Sequence, residues 1–231
     1  MTKIKNMLIS AIAIAMISTS SFAFEGFSVG ATYAPTSADT KGHESTNQAG
    51  TSRRVNSSIS KDFDVGSIFA EYTFAQGSTI GIDYIPGEAE LGKKNGTAKT
   101  LSLGGDGTST AGTVTASAEL SDHMVFYAEP TYMMTPTFGV YVKGGAAKVT
   151  VSPKVKETTA STIRASYKDK DVWGVAYGIG AKAYYGNIFL KVEHLETEYG
   201  TYTHKSTTGD LNTVTADIDT SATRFALGYN F

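Results

Sequence analysis

Apolar and polar residues alternate with a period of two along most of the chain, the pattern of strands whose two faces meet different surroundings. Eight such segments can be placed. The first, FEGFSVGATYA, sets Phe27, Val29, Ala31 and Tyr33 against Gly26, Ser28, Gly30 and Thr32. The second, VGSIFAEYTFA, opposes Ile68, Ala70, Tyr72 and Phe74 to Ser67, Phe69, Glu71 and Thr73. TIGIDYIP follows, and then HMVFYAEPTYM, in which Pro130 cannot donate to a ladder and so marks a bulge or a strand end. FGVYVKGGAAKVTV, DVWGVAYGIGAKAYY, IFLKVEHLETEY and the closing TRFALGYNF complete the set.

The connections fall into two kinds that strictly alternate. Those near 76–78, 133–137 and 186–187 are hairpin turns. Those near 35–64, 87–121, 152–170 and 197–215 are long and rich in Thr, Ser, Gly, Lys and Asp, although TLSL at 100–103 and TVTASAEL at 113–120 could extend strands. Together these features predict an all-β, eight-stranded antiparallel up-and-down barrel, with turns at one rim and long loops at the other. The eighth strand is expected to pair with the first, so that no sheet edge is left bare.

The polarity of the faces decides what surrounds such a barrel. One face is nearly all Ile, Leu, Val, Phe, Tyr, Ala and Met; the other carries Glu71, Asp83, Glu129, Lys143, Lys182, Lys191, Glu193 and Arg224. An interior of eight strands is just wide enough to be filled by its own side chains. Four acids and four bases pointing inward would neutralise one another as a plug, leaving the apolar face outside against hydrocarbon. Only a closed sheet satisfies its own backbone in lipid. The barrel is therefore expected to span a membrane. Phe24, Phe27, Phe74, Tyr132, Phe138, Tyr185, Tyr229 and Phe231 would form an aromatic girdle at the short-turn rim, and Tyr33 and Trp173 one at the other.

Composition sharpens this picture at three points. Lys3 and Lys5 precede an apolar run from Met7 to Ile17 and the small-residue ending SFA, so residues 1–23 read as a cleavable export signal and 24–231 as the barrel domain. Without that leader, 18 basic residues face 22 acidic ones, a net charge of about −4 that gives no support to nucleic-acid binding. There is no cysteine, which excludes disulfides, thiol chemistry and cysteine zinc sites.

The export signal, the eight alternating segments and the closing FALGYNF resemble the eight-stranded outer-membrane barrels of Gram-negative bacteria, the OmpA-like and opacity-protein-like group. The resemblance implies residence in the bacterial outer membrane and a C-terminal signal for the barrel assembly machinery, carried here by Phe225, Leu227, Tyr229 and Phe231. In one respect the sequence departs from some members of that group: no peptidoglycan-binding domain is expected after the eighth strand.

Candidate chemistry is sparse. Ser121, Asp122 and His123 are the right types for a nucleophilic relay, but neighbours in a strand point to opposite faces. His43 and His204 fall in loops, and His194 near the upper interface. LGGDGTST at 103–110 lacks the lysine and the strand-to-helix setting of a phosphate loop. KDKD at 168–171 and HESTNQ at 43–48 read as solvated loop charge, with weak divalent-cation binding as the alternative. The expectation is a non-catalytic, monomeric outer-membrane barrel without cofactor or bound metal. It would be structural, or would meet a surface ligand or phage through its loops. A small passive pore for ions or solutes is the main alternative, ahead of a lipid A-modifying enzyme and a soluble periplasmic barrel.

Overall fold

The computed structural model describes residues 25–48, 51–97, 113–157, 168–205 and 213–231. The expected leader, Phe24 and the glycine-rich stretch at 103–110 lie outside them. Ten strands follow in chain order: β1 (Gly26–Gln48), β2 (Thr51–Thr73), β3 (Thr79–Thr97), β4 (Thr113–Glu129), β5 (Thr131–Thr135), β6 (Phe138–Glu157), β7 (Lys170–Tyr185), β8 (Ile188–Tyr199), β9 (Tyr202–Lys205) and β10 (Thr213–Asn230). All pairings are antiparallel: the order is β1-β2-β3-β4-β6-β7-β8-β10, β5 pairs with β6 and β9 with β10, and β1 pairs with β10, which closes the sheet.

The wall has eight staves because two of them are interrupted. β4 and β5 form one, broken at Pro130, whose carbonyl still accepts from the Val142 N–H at 3.2 Å. β8 and β9 form another, both pairing with β10 and separated at 200–201. The tight turns fall where expected. Gly77 (φ +85°) and Gly186 (φ +58°) supply the left-handed backbone that two of them need.

The long connections differ from expectation, except that TVTASAEL at 113–120 does extend a strand; TLSL at 100–103 lies outside the described residues. Residues 35–48 and 51–64 continue β1 and β2 in unbroken register up to Gln48↔Thr51, and 113–121, 152–157 and 213–215 are likewise strand. Their Thr and Ser content suits exposed sheet as well as loop, which is why composition alone misreads them. A membrane crossing takes about 9–11 tilted residues. β1 and β2 have 23 each, so the wall rises well above any bilayer.

One seam in the wall is incomplete. Among the described residues β2 and β3 pair only from Thr73↔Thr79 to Ile68↔Tyr84, although both strands continue upward. At that height β3 carries register shifts against β4 between Ile85 and Glu88 and between Glu90 and Gly92, and β4 carries one against β6 between Ser121 and Met124. Pro86 and Gly87 stand opposite the single residue Asp122. The extra residue bends β3 away from β2.

Candidate functional site

All eight charged residues singled out in the sequence are buried in the lumen, and seven form one chain that alternates in sign. Asp83, on β3, binds Arg224 of β10 through a short contact with the guanidinium, and Ser67 donates to the same carboxylate at 3.1 Å. Arg224 Nε lies 3.0 Å from Glu193 Oε1, a charge contact without hydrogen-bond geometry. Lys143 Nζ donates to Glu193 at 2.9 Å and lies 3.1 Å from Glu129. Lys191 then joins Glu129 at 2.8 Å to Glu71 at 2.6 Å.

Lys182 stands apart. Fully buried, it donates to the Gly77 carbonyl at 2.7 Å and to Thr79 Oγ1 at 3.0 Å, at the short-turn rim. The chain of seven has four acids and three bases, so Lys182 completes neutrality from outside the chain. Ion pairs this deep gain strength from the low local dielectric, and each group would be costly if left single.

The sequence reading missed the aromatic part of the plug. Tyr127 donates to Glu71 at 2.7 Å and Tyr141 to Glu193 at 2.8 Å, while Lys143 Nζ sits 4.0 Å from the Tyr127 ring centroid. Four inward rings lie opposite inward glycines in the register: Phe69 faces Gly30, Tyr127 Gly81, Tyr141 Gly180 and Phe189 Gly228. A β-carbon at Gly81 would come within 2.6 Å of the Tyr127 ring. The glycines are the space that the rings occupy. Alternation places both residue types on the inner face, but only the cross-strand register reveals that they are partners.

The outer surface at this level is an apolar belt. Ile68, Ile179, Leu190, Val192, Phe225 and Leu227 are roughly half exposed or more. Phe27, Phe74, Tyr132, Phe138 and Tyr185 ring the short-turn end, with Tyr185 89 % exposed, and Trp173 stands exposed at the upper margin. Phe27 and Phe231 stack at 6.2 Å across the seam, where the Phe231 N–H donates to the Phe27 carbonyl at 2.9 Å. Tyr229 and Phe231 meet edge-on at 5.2 Å. Phe225, Leu227, Tyr229 and Phe231 therefore all project outward from β10.

The nucleophilic trio is not assembled. Asp122 adopts φ +51° at the β4 bulge with its side chain exposed, whereas His123 turns inward against Tyr199. His194 is exposed just above Val192, 2.9 Å from Glu196. His43 contacts Arg54 at 3.1 Å high on the β1–β2 hairpin.

No family model and no curated protein sequence matches this chain. Among solved structures it is similar to the outer membrane protein OprG of Pseudomonas aeruginosa, at 15 % identity over 92 % of this chain and 98 % of that one, with a TM-score of 0.48. The outer membrane protease OmpT of Escherichia coli matches at 11 % identity over 93 % and 99 %, with a TM-score of 0.48. Neisserial surface protein A matches at 13 % identity over 87 % and 99 %, with a TM-score of 0.36. By its own closed sheet, exposed apolar belt and buried charge, this chain is an eight-staved transmembrane β-barrel, the architecture of bacterial outer-membrane proteins.

Proposed function

We propose that the protein is a non-catalytic surface barrel: a sealed membrane anchor that holds a rigid sheet outside the cell for contact with other molecules. The observation that carries this reading is the continuation of β1 and β2 as a fully paired hairpin far above the apolar belt. A scaffold that only filled the membrane would not need it. Binding function concentrates on segments displayed by such a scaffold. The continuous charge chain and the ring–glycine floor favour a closed lumen over a conducting one.

Two measurements test this. In planar bilayers the refolded barrel should give no steady single-channel conductance at neutral pH; discrete, reproducible steps altered by Lys143→Ala or Glu129→Ala would establish the pore instead. In intact cells, Ser58→Cys on the exposed hairpin should react fully with a membrane-impermeant maleimide, the wild-type chain having no cysteine of its own. A thiol at that position reached only after lysis would overturn surface display.

A further inference from the structure

Above the charge chain the lumen changes character. It opens into a chamber of about 390 Å³ with Ser67 and Arg224 at its floor and Phe63, Val65, Leu120 and Leu195 among its walls. That volume lies in the range of small-molecule sites, roughly 300–1,000 Å³. His123 lines the wall, edge-on to Tyr199 at 6.1 Å, and its buried Nδ1 has no hydrogen-bond partner among the described residues. Apolar walls with a polar floor and one unsatisfied imidazole nitrogen suit a molecule that has both an apolar chain and a hydrogen-bonding head.

The chamber also has a side opening. Its lower sill is the Ile68↔Tyr84 pair, and its lintel is the Lys61 ammonium donating to the Glu90 carbonyl across the gap at 2.8 Å. Between them lie residues 62–67 of β2 and 85–89 of β3, with no ladder joining them among the described residues. Several of these, including Val65, Gly66, Pro86 and Gly87, line the chamber itself. Ile68 is 58 % exposed and belongs to the apolar belt, whereas Asp64, two positions above Gly66 on the same face, is a charge. The window therefore sits at the outer margin of the belt, where headgroups give way to acyl chains. Downward passage is blocked by the charge chain, so a chamber occupant can leave only upward or sideways.

We propose that this chamber binds a single-chain amphiphile, its alkyl segment against Phe63, Val65, Leu120 and Leu195 and its hydroxyl or carboxyl head near Ser67, His123 and Arg224, and that the β2–β3 window exchanges it with the outer leaflet. The same alkyl chemistry could come from a free amphiphile or from an acyl chain of a membrane lipid.

Photolabelling of the full barrel refolded in phospholipid vesicles tests the assignment. One arm uses a ten-carbon alcohol with a diazirine in its chain; the other uses a phospholipid with a diazirine near the end of one acyl chain. Both arms are read by peptide mass spectrometry. Labelling of Leu120 or Leu195 by the alcohol is expected, and labelling by the phospholipid as well would make the membrane lipid a source of occupants.

Gly66→Trp should cover the window, since a β-carbon there meets only the Thr32 carbonyl at 3.8 Å. It should lower chamber labelling about tenfold, which corresponds to about 1.4 kcal/mol. Pro86→Trp, at an exposed position on the other jamb, is the second variant, and the boiling-dependent gel shift reports folding of each. Labelling confined to outward Ile68 and Tyr84 would overturn the chamber. Undiminished chamber labelling in both folded tryptophan variants would overturn the window, with entry then assigned to the upper mouth.

Discussion

Within β8, Ile188 to Glu193 and His194 to Tyr199 keep the same alternation with opposite chemistry. In the lower stretch Leu190 and Val192 face out while Lys191 and Glu193 are buried. In the upper one His194 and Glu198 are exposed, while Leu195 and Tyr199 are buried. β10 repeats the reversal: Phe225 and Leu227 point outward below Arg224, whereas above it Ile218 is inside and Asp217 and Asp219 are outside. Backbone parity does not change; the surroundings do. Below the switch the outside is hydrocarbon and polar groups retreat inward to one another. Above it the outside is water, and the interior becomes an ordinary apolar core of Val149, Val151, Val172, Leu195 and Ile218.

The sharpest break of this contrast is at the switch itself. Arg224→Met leaves Asp83 and Glu193 buried without their shared cation and should cost about 3–5 kcal/mol, read as a lower urea midpoint for the barrel in vesicles. Next comes one substitution made on either side of the boundary. Leu190→Arg puts a charge in the belt and should cost about 2–4 kcal/mol, while His194→Arg, four residues higher on the same face, should stay within about 0.5 kcal/mol. Equal penalties at both positions would place the bilayer boundary elsewhere.

A smaller effect is expected from Gly180→Ala, whose added carbon would approach the Tyr141 ring to 2.5 Å; overpacking of this kind costs about 1–3 kcal/mol. Thermal melting of the gel-shifted form should show it. The smallest effect belongs to the upper exterior. Asp219 lies opposite both Asp39 and Glu198 in the ladders, and burial, followed by the Glu198 carboxylate, raises its pKa above the usual value. A raised carboxyl destabilises the fold once it ionises, so the penalty is complete above its folded pKa and gone below the unfolded value of about 4. Asp219→Asn should thus slow hydrogen exchange around it at pH 7 and make no difference at pH 3.

Alternation and face polarity make the lower barrel legible, because a strand such as Trp173 to Tyr185 shows both at once. The upper barrel is hidden by composition: Thr36, Ser37, Ser58 and Ser60 read as loop residues, although they occupy strand positions. Of the lumen chain, the sequence can reveal which charges share a face, but not their order, since Lys143 to Glu193 and Lys191 to Glu71 are contacts across the barrel. Alternation groups Lys182 with the ion pairs, yet it binds a turn carbonyl that has no side-chain signature. The window has only Pro86–Gly87 to mark it, and an unpaired ladder cannot be read from one strand alone.

The seam between β1 and β10 also bears on how fast this wall can form. Ser28 and Asn230, hydrogen-bonded at 2.9 Å, are 202 positions apart in sequence, whereas most other neighbouring staves are successive hairpins. Contacts so distant are slow to find, and until they form the growing sheet has two bare edges able to recruit a second copy. Closure is thus the step at which both bare edges disappear, and the aromatics at Phe27 and Phe231 sit where the two edges meet.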